Sequence, residues 1–105
     1  MVAVTVTRAV AQKLIADVPE DRKFWCRDGR ALKNLQELDD ALREMSEETF
    51  QHHLNESKND FRNWVADVIG DETLARDLAA ATDRGRAIKA VADRNAYLKR
   101  RARGK

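Results

Sequence analysis

The sequence has one cysteine, Cys26, so no disulfide can close within the chain, and a reducing compartment is expected. It has one proline, Pro19, so nothing beyond residue 19 is interrupted by proline. No apolar run approaches the roughly 18–20 residues that span a bilayer. Met1 to Thr7 lacks the charged start and long apolar stretch of a secretory signal. There is no glycine-rich phosphate loop, no dinucleotide fingerprint and no Ser–His–Asp pattern. Zinc would need more His and Cys than His52, His53 and Cys26 supply. The expectation is a cytoplasmic, non-enzymatic protein without cofactor, metal or membrane contact.

What the chain does have is charge, unevenly spread. Residues 1–83 hold 11 Lys/Arg against 17 Asp/Glu, a net of −6. Residues 84–105 hold 9 against Asp93 alone, a net of +8. Two segments follow: an acidic helical domain over 1–83 and a basic amphipathic helix and tail over 84–105.

Helix caps punctuate the sequence. Val2, Val4 and Val6 alternate as a strand would, whereas Val6, Val10, Leu14 and Val18 follow helical spacing. The balance predicts an extended start, then a helix from about Thr7 to Val18, ended by Pro19. Lys23–Cys26, then Asp28-Gly29, then Ala31-Leu32, predicts a small hairpin near residues 23–32 that must lie on helices to persist. Asn34 with Glu37 forms a capping-box variant before Leu35, Leu38, Leu42 and Met45. Ser46 caps a short helix carrying Phe50 and Leu54. Asn59 or Asp60 caps the next, with Phe61, Val65, Val68 and Ile69 on one face and Gly70 as its left-handed end. Asp71 and Asp83 open the last two helices, the first with Leu74, Ala75, Leu78 and Ala81 inward. The fold class is mainly α, a compact array of about five short helices with one hairpin.

Several residues invite chemistry and have plainer readings. His52 and His53 diverge by 100° on a helix, so they do not readily share a metal. Asp60, Asp67 and Asp71 would line one face only if a helix ran through Gly70. As caps and a solvated carboxylate they need no ligand. Cys26 with His53 makes a nucleophile pair on paper, with nothing in the spacing to support it. Trp25 and Trp64 are read as core or core edge, and either one, if exposed, marks an interface. In the last helix Ile88, Val91, Asn95, Leu98 and Ala102 trace a two-heptad seam. It fits docking on its own domain or a parallel pair in which Asn95 meets Asn95.

Phe24-x-x-x-Asp28-Gly29, Lys33-Asn34-Leu35-x-Glu37-Leu38, Met45-Ser46-x-Glu48-x-Phe50, His53-x-Asn55 and Lys58-Asn59-Asp60-Phe61-x-Asn63-Trp64-Val65-x-Asp67-Val68-x-Gly70-Asp71 occur in that order. This pattern, over residues 23–78, resembles a family of short prokaryotic domains, mainly archaeal, of unknown function. The resemblance implies a recurring small module and supplies no activity, cofactor or catalytic residue. His53, Asn59, Asp60, Phe61 and Trp64 are read as its structural motif, with His53 and Asn55 near the cap at Asn59 or Asp60.

A module that binds another macromolecule, most readily a protein, is expected. The alternative is nucleic-acid binding through residues 84–105, with Arg84, Arg86, Lys89, Arg94, Lys99, Arg100, Arg101 and Arg103 as the contact set. Two heptads bury too little to pair strongly, so a monomer or weak homodimer is expected.

Overall fold

Side-chain caps divide the chain. In the computed structural model, which describes residues 6–103, each of six helices opens on a side-chain oxygen that accepts an amide three residues on. Thr7 opens α1 (Arg8–Ile15), Asn34 opens α2 (Leu35–Glu44) and Ser46 opens α3 (Glu47–His53). Asn59 opens α4 (Asp60–Trp64), Asp71 opens α5 (Glu72–Ala80) and Asp83 opens α6 (Arg84–Ala102). Each bond satisfies one of the orphan amides at a helix start. The choice between Asn59 and Asp60 falls to Asn59, whose Oδ1 accepts from Arg62 N at 3.0 Å. At α2 the Glu37 carboxylate reaches back to the Lys33 amide at 2.9 Å, one residue earlier than a capping box would place it.

The fold is mainly helical with one two-stranded antiparallel hairpin. Strands β1 (Phe24–Trp25) and β2 (Ala31–Leu32) pair Phe24 with Leu32 and Trp25 with Ala31. Gly29, with φ 98°, makes the turn where a side chain would be strained. Two boundaries differ from expectation. The first helix stops at Ile15, where Ala16 turns extended and its amide bonds the Lys13 carbonyl. The extended start predicted from Val2 and Val4 lies outside the described residues. After Trp64 the chain widens into one π turn, Val65–Ile69, closed at Gly70 (φ 84°), whose amide reaches Val65 O. That turn shifts the helical register, so Val68 sits half-buried while Phe61, Val65 and Ile69 go inside.

The core gathers beneath the hairpin. Phe61 stacks on Phe24 at 5.4 Å and on Phe50 at 5.6 Å, and Trp64 meets Phe24 edge-on at 5.8 Å. Trp64 is buried with its indole N–H satisfied by Arg22 O at 2.9 Å. Hairpin and α3–α4 thus share one aromatic cluster, which holds the short ribbon in place. A second layer forms where α6 lies against α1, α2 and α5. Ala87, Val91, Asn95 and Leu98 are its buried positions. The seam read as a candidate coiled coil is therefore occupied by the chain's own helices. Within the chain, Asn95 donates to Gln36 Oε1 on α2 at 3.0 Å.

Candidate functional site: the hairpin face and the basic helix

Alternation along β1 sets the outward face of the hairpin. Phe24 and Cys26 point into the core, so Trp25 points out and remains 66% exposed. This corrects the expectation that both tryptophans are core: Trp64 is buried and Trp25 is not. The period-two signal Phe24 in, Trp25 out, Cys26 in was present in the sequence and outweighs the general tendency of tryptophan to be buried.

Against Phe24, on the inner side of the hairpin, is a polar knot. His53 is buried, and both ring nitrogens are used. Its Nε2 accepts the Arg27 amide at 3.0 Å, which places the ring proton on Nδ1, 2.9 Å from Asp60 Oδ2. His53 thereby ties the end of α3 to the start of α4 and to the hairpin. Lys58 Nζ donates to the same Asp60 oxygen at 2.9 Å. Partial burial pushes the Asp60 carboxyl up, but the bonds from His53 and Lys58, with the Lys58 charge, outweigh it and hold the group below its ordinary range. Asn55 does not join this cap; its amide bonds Gln51 O and its oxygen accepts Ser57 N.

A His–Asp pair invites a catalytic reading, which the bonding argues against. A general base needs a free nitrogen facing substrate, and His53 Nε2 is spent on a backbone amide. Cys26 is buried, and desolvation, then the Asp28 charge, pushes its thiol to about 11 despite Arg30. A thiol so raised is a poor nucleophile at neutral pH. No group of three or more His, Cys, Asp or Glu among the described residues is placed to hold a metal ion. Asp67 is exposed, Asp60 serves His53, and Asp71 is buried against Arg94, so the three do not converge.

At the exposed rim of the knot the chain places donors. Arg27 Nη1 lies 2.9 Å from His52 Nδ1. A guanidinium can only donate, so His52 Nδ1 accepts and the ring proton sits on Nε2. The limited desolvation of His52, then the charges of Lys58 and Arg27, lower its pKa against the pull of Asp60.

The basic helix divides its cations in two. Arg94 forks onto Asp71, Nε to Oδ2 at 2.7 Å and Nη2 to Oδ1 at 2.9 Å, with side-chain exposures of 13% and 1%. Arg84 donates to the carbonyls of Leu42 (2.8 Å) and Arg43 (2.7 Å), the free end of α2. Arg101 Nε bonds Val6 O at 2.9 Å. These three are committed within the chain. Arg86 and Lys89 are exposed beside Asp83 and Asp93, and Lys99 reaches Gln36 at 2.6 Å. Arg100 and Arg103 are exposed and, with Lys99, Asp39 and Gln36, border an open hollow of about 300 Å³. Lys105 lies outside the described residues. Sequence reasoning had no means to see this division, because each inward partner is at least 23 residues away in the chain.

No helix among the described residues is long and apolar enough to cross a membrane. Against known proteins, no family model, no curated protein and no solved structure matches this chain.

Proposed function

We propose that this protein is a small non-enzymatic module that binds a protein partner through the outward face of its hairpin. One observation carries the reading: Trp25 is exposed on a ribbon whose other face is anchored in the aromatic core. Large exposed aromatics on rigid supports are the side chains that most often anchor interfaces, because their burial gains much area at little entropic cost. The commitment of both His53 nitrogens supports the non-enzymatic part. Site-specific incorporation of a photo-crosslinking phenylalanine tests it. Placed at position 25, the probe is expected to trap a discrete protein in native cells; placed at Lys89, it is expected to trap none. Crosslinking from position 89 alone would sink this reading.

A second reading has its own observation. Lys99, Arg100 and Arg103 are exposed together at the end of α6, where a nucleic-acid backbone has room to lie. Three phosphate contacts predict a plot of log affinity against log salt with slope of about −2 to −3. Fluorescence anisotropy with a labelled oligonucleotide measures it, and a flat plot excludes this role for the helix end.

A further inference from the structure

We infer that the rim formed by Trp25, Arg27, His52 and Lys58 recognises an acidic peptide segment of the partner, with an apolar residue on the indole and carboxylates on the three donors. This rests on the hairpin-face reading above and names its chemistry.

The donors are arranged by the knot beneath them. The Arg27 amide is pinned to His53, and the Arg27 side chain is turned onto His52, whose ring stands edge-on to that of His53 at 4.9 Å. Lys58 is held by Asp60, which is itself bonded to His53. Arg27, His52 and Lys58 are therefore gathered around one buried ring, and all three are exposed. The outward atoms are donors: the remaining guanidinium N–H groups, His52 Nε2–H and the Lys58 ammonium. Asp60 spends Oδ2 on both His53 and Lys58, and Asp28, next to Arg27 in the chain, pairs with Arg30. No carboxylate among the described residues pairs with Arg27, whose side-chain bond goes to a neutral ring instead. A rim of donors with one incompletely balanced guanidinium is suited to an anion, and Arg suits a carboxylate in particular.

The apolar half of the site lies close by. Trp25 ends β1 and Arg27 opens the turn two residues on, so their Cα atoms are at most about 7 Å apart. A five-residue extended peptide spans up to about 17 Å, enough to touch both. The choice of an acidic peptide over a nucleic acid follows from the surroundings. Residues 1–83 carry a net charge of −6, so a long polyanion meets repulsion away from this one rim, whereas a short acidic segment does not.

The probes are the pentapeptides Glu-Glu-Leu-Glu-Glu and Gln-Gln-Leu-Gln-Gln, both end-blocked, and a six-nucleotide oligothymidine. The readouts are NMR shifts of the Trp25 indole and the His52 ring in the intact protein at low salt. The glutamate peptide is expected to move both resonances and to raise the His52 pKa, since its carboxylates counter the Arg27 and Lys58 charges that oppose the imidazolium. Binding should strengthen as the pH falls through the His52 titration. His53 and Asp60, which also face His52, stay bonded to each other throughout. Replacing both cations, Arg27→Ala with Lys58→Ala, should weaken the glutamate peptide about twofold to thirtyfold, the range for two exposed ion pairs. Because Lys58→Ala also touches Asp60, Arg27→Lys is the check on folding, and it should retain part of the affinity.

Equal binding of the glutamine peptide would overturn the anionic half. So would shifts confined to Lys99–Arg103. Tighter binding of the oligothymidine at Trp25 would replace peptide with nucleic acid as the ligand class. If position 25 crosslinks a partner in cells but the glutamate peptide does not bind, the interface reading stands and this inference fails. If the peptide binds but nothing crosslinks, the rim chemistry stands and the interface reading fails.

Discussion

Helix α6 and the hairpin are both amphipathic, and they use their faces in opposite ways. In α6 the apolar seam turns onto α1, α2 and α5, and three of the arginines bond inward to Leu42, Asp71 and Val6. In the hairpin the polar knot and Phe24 turn inward, and the largest apolar side chain turns out. A basic, patterned helix thus serves largely as architecture, while a four-residue ribbon presents the exposed tryptophan. Charge count locates the ions of a chain but not their orientation. A guanidinium beside a buried carboxylate or a helix C-terminus is a structural group, whatever the net charge around it.

The sharpest way to break this comparison is to remove a cation from α6. Arg94→Ala leaves Asp71 almost fully buried with only the Leu74 amide as partner. Breaking one side of a buried pair costs about 3–5 kcal/mol, a large share of the 5–15 kcal/mol typical of a folded domain. Urea unfolding followed by circular dichroism measures it. A loss under about 1 kcal/mol would mean that α6 is a loosely attached tail, and the contrast with the hairpin would collapse. Arg100→Ala is the control on the same helix and should be within about 0.5 kcal/mol of the parent.

The aromatic cluster sharpens the other side. Phe61 is fully buried between Phe24 and Phe50 and contacts the His53 ring at 5.5 Å. Phe61→Ala is expected to cost about 3–5 kcal/mol by chemical denaturation. It should also release the hairpin, so Trp25 fluorescence anisotropy falls before global unfolding. A fall in stability without that release would show that the ribbon is held from elsewhere.

The parts of this arrangement that sequence reasoning reached share one property, which is locality. Caps lie three residues from the amides they serve, and apolar faces repeat within two turns, so Asn34, Ser46, Asp71 and Asp83 were readable from spacing. The hairpin followed from Asp28-Gly29 for the same reason. Trp25 was also local, since alternation from Phe24 turns it outward. At this position the strand period of two outweighs the tendency of a large aromatic side chain to be buried. The inward turn of Arg84, Arg94 and Arg101 depends on how α6 crosses three other helices. Nothing within a window of ten residues encodes that crossing. The Arg27–His53–Asp60 connection is intermediate: its two ends are 33 positions apart, yet His53 and Asp60 are close enough in sequence for their bond to be anticipated.

A smaller effect separates the cap from the knot. Asn59→Ala removes the bond to Arg62 N and the bond from Nδ2 to Leu78 O at 3.0 Å, and should lose about 0.5–2 kcal/mol at any pH near neutral. Asp60→Asn should instead alter the acid limb. The folded Asp60 carboxyl is held below its unfolded value, so its stabilisation is complete above the unfolded pKa and disappears as pH falls through the folded one. Parent and Asp60→Asn curves of stability against pH should therefore approach each other from about pH 4 downward. Parallel curves would mean that the bonds from His53 and Lys58 give no net stabilisation of the charged carboxylate.

The smallest stability change belongs to the most exposed large side chain, and it is the most telling. Trp25 is 66% exposed, so Trp25→Ala removes little buried area and should move the unfolding midpoint by less than about 0.5 kcal/mol. Trp64→Ala, by contrast, opens a core cavity and strands Arg22 O, and should cost about 3–5 kcal/mol. Two tryptophans in one small domain thus differ by severalfold in what they do for folding. If Trp25 anchors a partner, Trp25→Ala costs binding instead, by 2 kcal/mol or more for a central anchor, about thirtyfold in Kd. A Trp25→Ala protein with the parent's stability and no partner crosslink would place that side chain outside the folding problem and inside the binding one. A loss of stability comparable to that of Trp64→Ala would mean that the indole supports the ribbon itself, and the outward face would lose its claim to be the interface.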